Sequence, residues 1–557
     1  MKELLKNSII PTLTLIIIIL INIVSSYYFT RIDLTNDKRY SISKETQNLI
    51  KEIDDIIYFK IYLHGNIPME YKNLSKEVKY MLNELRAYSK YIQYDFIDPS
   101  SLENDEYKRA LEEELYTKGI NPVPHRSYEN NKLEETWIFP GFTVSYKTKE
   151  VSIPLINESL MHDPKTVIKQ SIDRLEYSLI NAIRRLIIKK KTIGLINGHG
   201  EITSNLIESF KELVSTNYQI INLPPINGQL NALKEIDCII INHPKDYFTE
   251  KDKFIVDQFI INGGKSIWIL GGTNANMDSL TQKNETLVMP IENRNLNDLL
   301  FKYGIRVNND LIQDIQAAPI PIVTHYIDEK PQWTFFPWTF FPIISPPQNH
   351  LITTNINPIK SQFPSSIDTI SNQIEKTILL KTTKNTKITR TPALINLESL
   401  KTQPDELTFN KGDQNIAVLL TGFFKSIFQD RIPLTIQEDP NINFIESSKN
   451  KNKMIVISDG YFINNQFFKG NKLPLGFDKH TGKQYGNGDF ILNCIDYLLN
   501  NEVFIKIRSK NIDLRLLNAQ KIKTEQKYWQ ILNIFIPTIC VLIIGFTLLM
   551  LRKRKYS

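Results

Sequence analysis

Two predominantly apolar, uncharged runs bracket a long stretch in which hydrophobic residues recur with the periods of strands and helices. The first run, Ile9 to Phe29, contains Leu13 to Ile21, where Thr14 is the one polar residue; the second, Ile531 to Leu551, carries no charge. Each has roughly the twenty residues needed to cross a hydrocarbon core. A helix apolar on every side has no stable place on a water-exposed surface. Pro11 falls in the first turn of the first helix, where it does little harm. No A-x-A site follows that run, so it reads as an uncleaved anchor rather than a signal peptide.

Between the runs, residues 31–191 alternate strand and helix patterns. Ser41 and Ser43 offer caps for a helix over Thr46 to Ile53. Ile56 to Leu63 reads as a strand, Tyr71 to Lys90 as a helix with Leu74, Val78, Met81, Leu82 and Leu85 on one face, and Tyr91 to Ile97 as a strand. A helix over Glu103 to Lys118, a hairpin from Thr136 to Tyr146 and Val151 to Leu155, and a helix over Ile172 to Ile188 follow. This order predicts a thioredoxin-like α/β lobe, and the CxxC that would give it redox chemistry is absent.

Residues 192–502 predict a second α/β lobe. A short strand runs into Gly198-His199-Gly200 and a helix over Ser204 to Thr216. Strands at Tyr218 to Asn222, Asp237 to Asn242 and Ser266 to Leu270 alternate with a helix capped by Thr249, the pattern of a doubly wound parallel sheet of flavodoxin or amidotransferase-like type. From about 272 to 450 the pattern is irregular and reads as a long insertion. The strand Lys453 to Ser458 and the helix Gly488 to Leu499 then return to the same sheet. The expected organisation is a cytoplasmic tip and transmembrane helix over 1–30, the two lobes, a juxtamembrane segment over 503–530, and a second transmembrane helix with a basic tail over 531–557.

Charge sets the expected orientation. Lys2 and Lys6 precede the first run and Arg552 to Lys555 follow the second, so both termini are expected in the cytoplasm and the lobes on the outer face of a bacterial inner membrane. Arg31, Lys38 and Arg39, and Lys521, Lys523 and Lys527, oppose this more weakly. The net charge of +7 is spread through interspersed signs, which excludes a nucleic-acid-binding stripe. The three cysteines show no metal spacing, so no metal or cofactor is expected. Cys238 and Cys494 read either as a disulfide or as two buried thiols.

Three motifs invite chemistry. Gly264-Lys265-Ser266 ends like a phosphate-binding loop, but Phe259 stands where that loop needs glycine, and a helix precedes where one must follow. His199-Gly200-Glu201 sits where a strand ends, the edge at which α/β sheets place ligands. It reads as a ligand-binding turn, or as a tight turn with Glu201 near a helix N-terminus. No catalytic residue is assigned. The run Trp333, Phe335, Phe336, Trp338, Phe340 and Phe341, broken by Pro337, cannot form one regular helix; it reads as a docking loop for a partner or as a loop over a core.

The segments Arg31 to Ser41, Asn197 to Glu201, Ala317 to Val323, Phe335 to Trp338 and Leu473 to Gly486, in this order and with both apolar runs, resemble the gliding-motility-associated ABC transporter auxiliary proteins of the GldG type. The resemblance implies a non-catalytic auxiliary or substrate-binding subunit in a bacterial inner membrane. Its partners would be a multi-span permease, a separate cytoplasmic ATPase and membrane lipid. A membrane-anchored hydrolase or amidotransferase-like enzyme using His199 and Glu201, and an envelope scaffold, stand as alternatives.

Overall fold

The computed structural model describes residues 13–21, 42–101, 104–129, 132–156, 164–202, 205–429, 431–432, 444–509 and 519–556. Residues 42–509 fall in one compact unit and the helix Ala519–Tyr556 in another.

The N-terminal part of the compact unit is built on a four-stranded sheet. Ile92–Phe96 pairs in parallel with Ile57–Ile61, which pairs antiparallel with Gly141–Tyr146, and Lys149–Pro154 closes the edge. The parallel pair is joined through the helix Met69–Tyr88, whose Leu74, Val78, Leu82 and Leu85 recur at helical spacing and are fully buried. They pack in one core with Ile57, Phe59 and Ile61, which alternate with half-exposed residues along their strand. The hairpin expected from Thr136 is shorter. Residues up to Ile138 pair instead in a separate hairpin, Val123–Glu129 with Lys132–Ile138, and Pro140, which has no amide proton, follows that break.

The larger part holds a seven-stranded sheet. Its five parallel strands lie in the order Gln219–Asn222, Thr192–Leu195, Cys238–Asn242, Lys265–Ile269 and Asn452–Ile457. Successive side chains face opposite layers. Cys238 and Ile240 meet the helices Glu208–Ser215 and Asn487–Leu498, while Ile239 and Ile241 meet Glu250–Ile261 and Asn297–Tyr303. Covered on both faces, the strand Cys238–Asn242 is buried at every position, which is why it reads as a continuous apolar run. Cys238 and Cys494 are free, buried thiols.

The region expected as an irregular insertion is largely β structure. Glu375–Lys381 and Asn415–Gly422 extend the main sheet antiparallel beyond Asn452–Ile457. Ala317–Ile327 and Lys330–Ile344 form a long hairpin, so the aromatic run is a strand rather than a loop. Prolines sit within both of its strands, at Pro319, Pro321, Pro331, Pro337 and Pro342. Such residues are tolerated where strands lie at an edge or bulge, and the register shifts between Ala317 and Pro319.

Residues 503–508, the start of the expected juxtamembrane segment, belong to a helix, Glu502–Arg508, that packs into the compact unit. Its Phe504 and Ile507 enter the core of the N-terminal part, because this short helix is amphipathic. Around it a buried polar network joins the two parts. Asp496 accepts from Arg184 at 3.1 Å, Arg508 at 2.7 Å and the Tyr218 hydroxyl at 2.5 Å. The Arg184 guanidinium also stacks over the Phe504 ring, 4.0 Å from its centroid.

Among the described residues one helix is long and apolar enough to cross a membrane, Thr524–Arg554, with a mean hydropathy of 2.7 and its side chains exposed. Of the first expected span, residues 13–21 are helical with exposed side chains; the rest of Ile9 to Phe29 lies outside the described residues.

Removing one partner from a buried charge cluster leaves the others uncompensated. Asp496→Ala in the full-length protein should therefore cost roughly 3–5 kcal/mol of stability, read as a lower urea midpoint in detergent solution. An unchanged midpoint would remove this network from the account of how the two parts are held.

Candidate functional site

The turn at residues 197–201 joins the parallel sheet at the point where strand order reverses, between Thr192–Leu195 and Cys238–Asn242. Gly198 and Gly200 take φ values of +116° and +72°. A Cβ on Gly200 would lie 2.7 Å from the Asp246 carboxylate, so the turn needs glycine for space as well as conformation. The His199 carbonyl accepts from the amides of Lys245 and Asp246 at 2.9 and 2.8 Å, stitching the turn to the neighbouring strand's exit.

The ring nitrogens of His199 and the carboxylate of Glu201 all find partners inside the protein. Glu201 accepts from the His199 amide at 2.7 Å and contacts His199 Nδ1 at 3.1 Å. His199 Nε2 lies 3.3 Å from Asp252 Oδ2, which also accepts from the Thr249 hydroxyl at 2.9 Å, while Asp252 Oδ1 accepts from the Gly228 amide at 2.7 Å. The imidazole stacks on Phe248, with centroids 3.6 Å apart and planes 7° from parallel. Burial alone would depress the His199 pKa, but Glu201 and then Asp252 outweigh it and hold the ring above its ordinary value. His199, Gly200 and Glu201 are thus brought together as a closed latch. Asp252, which completes it, lies 53 residues away on a helix and carried no local signal.

A second polar cluster lies along the same sheet edge and was not singled out in the sequence. His243 takes φ +52° directly after its strand, and its Nδ1 accepts from the Gly271 amide at 3.2 Å. Burial, then the charges of Arg294 and Lys245, keep His243 well below its usual pKa. Asp459 accepts from Ser361 Oγ and the amides of Gln362 and Tyr461, each at 2.8 Å, and burial pushes its carboxyl up to about 6. A Cβ on Gly460 would fall 2.3 Å from the His243 ring, so the cluster is packed shut. Lys265 of the phosphate-loop-like triplet opens a strand, with a helix before it rather than after. Among the described residues no group of three or more His, Cys, Asp or Glu side chains is placed to hold a metal ion.

The aromatic run divides in two. Trp338, Phe340 and Phe341 are buried with Leu311, Ala318 and Phe363, which withdraws them from any partner surface: the strand inserts its C-terminal half into a core. Phe336 is half-buried. Trp333 and Phe335, two residues apart and so on one strand face, are 58% and 48% exposed, and Tyr326 and Ile327 are exposed near the hairpin's end.

The latch predicts a pH signature. A pKa raised by folding gives stability that is complete below the unfolded value of 6.5 and is lost as pH rises through the higher folded value. The melting-temperature gap between wild type and Glu201→Gln should therefore be widest in mild acid and narrow as pH rises above neutrality; a gap that widens would contradict the latch.

Over residues 36–145 the chain matches a family model described as a domain of unknown function. A protein of Borreliella burgdorferi (strain ATCC 35210 / B31), described as "Uncharacterized protein", is 25% identical over 98% of this chain and 97% of its own length. Among solved structures, the mmIFT52 N-terminal domain is 14% identical, covering 56% of this chain and 97% of its own, with a TM-score of 0.31. A ThuA-like protein from Parabacteroides merdae is 10% identical, covering 54% of this chain and 99% of its own, with a TM-score of 0.26. Likenesses at that level carry no argument. Residues 190–494, more than half of the chain, match the model of the ABC transport auxiliary family, described as an ABC-type uncharacterized transport system. That match suggests a non-catalytic auxiliary role and, in general terms, permease and ATPase partners. The chain belongs to this family of ABC-type transport auxiliary proteins.

Proposed function

We propose that this protein is a membrane-anchored, non-catalytic subunit of an ABC transporter of the gliding-motility type, docked on a multi-span permease that a separate cytoplasmic ATPase drives. In this reading Thr524–Arg554 spans the inner membrane. Tyr528 and Trp529 lie at its outer interface and Arg552 to Arg554 at the cytoplasmic side. The first apolar run is the second anchor, and both lobes, one thioredoxin-like and one flavodoxin-like, are periplasmic. The observation that carries the docking role is the exposed aromatic face of the hairpin, since buried-on-binding Trp and Phe side chains are what anchor interfaces.

An enzymatic role for His199 and Glu201 has less support. A general base needs a free nitrogen within reach of substrate. Both ring nitrogens of His199 already face carboxylates, and the side chain is 5% exposed.

Affinity purification of the full-length protein in mild detergent, with quantitative mass spectrometry, tests the proposal. Wild type should bring down a permease and an ATPase. Trp333→Ala with Phe335→Ala should reduce both by about tenfold or more, the loss expected for hot-spot side chains, with an unchanged melting temperature because neither residue is core. Wild type recovered alone, or equal recovery by the double variant, would contradict it.

A further inference from the structure

The turn that carries the latch also holds one of the four Asn-Gly pairs in the chain: Asn197-Gly198, Asn227-Gly228, Asn262-Gly263 and Asn487-Gly488. In such a pair the glycine nitrogen, with no Cβ to hinder it, can attack the side-chain amide before it, provided that nitrogen is not held elsewhere. Three of the pairs are held. The Gly228 amide donates to Asp252 Oδ1 at 2.7 Å, and the Gly263 amide to the Ile260 carbonyl at 3.0 Å. Asn487 is buried at the start of the helix Asn487–Leu498, where its side chain donates to the Lys360 carbonyl at 2.9 Å and accepts from the Lys360 amide at 3.2 Å. Gly198 differs. Its amide donates to Asn197 Oδ1 at 2.9 Å, which sets the electrophilic Cγ, one bond beyond that oxygen, beside the nitrogen that must attack it. Gly198 is exposed and Asn197 half-exposed, and among the described residues none accepts from Asn197 Nδ2.

We propose that Asn197 is a self-modifying site, converted without an enzyme to aspartate and isoaspartate. Hydroxide takes the proton from the Gly198 amide, the nitrogen bonds to Asn197 Cγ, and the Cγ–Nδ2 bond breaks. Nδ2 leaves as ammonia with a proton from water. Water then opens the succinimide ring, at Cγ to give aspartate or at the backbone carbonyl to give isoaspartate. The net change is asparagine plus water to an aspartyl residue plus ammonia. Isoaspartate puts an extra methylene in the backbone two residues before His199. The turn has no slack for it, because the His199 carbonyl is bonded to the amides of Lys245 and Asp246 and its ring is fixed between Glu201 and Asp252. The conversion therefore moves the imidazole off its partners and loosens the latch with age. The inference is independent of the docking role proposed for the hairpin.

Full-length wild-type protein is aged in detergent at mildly alkaline pH and digested in mild acid. Mass spectrometry locates each exchange of NH for O, and electron-transfer fragmentation identifies isoaspartate. Asn197 should convert about three- to tenfold faster than Asn227 or Asn262, the factor imposed where one backbone hydrogen bond must first be broken. The rate should rise with pH, and Asn197→Gln, which would have to close a larger ring, should stay unmodified at that position. The modified fraction, separated by ion exchange, should melt below the unmodified protein in mild acid, where the latch contributes most. No conversion at Asn197, or conversion no faster than at Asn227 and Asn262, would overturn the site; equal melting of the two fractions would overturn its coupling to the latch.

Discussion

One carboxylate holds the architecture together. Asp496 is fully buried and receives two guanidinium groups and a phenol, drawn from the helix Leu175–Ile187, the helix Glu502–Arg508 and the start of the strand Gln219–Asn222. Burying such charges costs several kcal/mol of desolvation, so the cluster is weak as a source of net stability and strong as a selector of one arrangement. Its guanidinium groups also lie over rings, Arg184 on Phe504 and Arg508 on Tyr177, which shares the cost of dehydration. The consequence is that the last helix of the compact unit finishes the core of the part that begins it. Within the N-terminal part, Ser43 and Thr46 donate to Glu176 on the same helix as Arg184, both at 2.8 Å. The two sheets therefore share a joint and are not beads on a string.

That arrangement bears on transport. On the reading proposed above the protein acts by presenting surfaces, and surfaces must be held in fixed geometry to bind a partner specifically. The latch at His199 serves the same end at the sheet's ligand-facing edge. A turn that two glycines permit is pinned by an imidazole between two carboxylates and stacked on Phe248. The edge that α/β proteins commonly use for catalysis is closed by internal hydrogen bonds at both His199 and Asp459.

Much of the fold was legible in the sequence, for local reasons. The helix Met69–Tyr88 announces itself by its apolar spacing, and Cys238–Asn242 by being apolar throughout. Thr249 caps its helix as expected, accepting from the Asp252 amide. The aromatic hairpin was not legible as strand, because its prolines remove ladder donors and mask the alternation, and because its core half and its exposed half share one composition. The strands Glu375–Lys381 and Asn415–Gly422 join the main sheet by pairing that no sequence period reveals. The site divides the same way. His199 and Glu201 are neighbours in sequence, whereas Arg184 and Asp496 are 312 residues apart and meet only in the folded chain.

Amide hydrogen exchange of the full-length wild-type protein in detergent tests the central claim, that one buried cluster makes the two parts a single cooperative body. Core amides of Leu175–Ile187, Asn487–Leu498 and Glu502–Arg508 should be protected to the same opening free energy and lose that protection together as urea is raised. Glu502–Arg508 exchanging early and alone, with the other two helices still protected, would contradict the account.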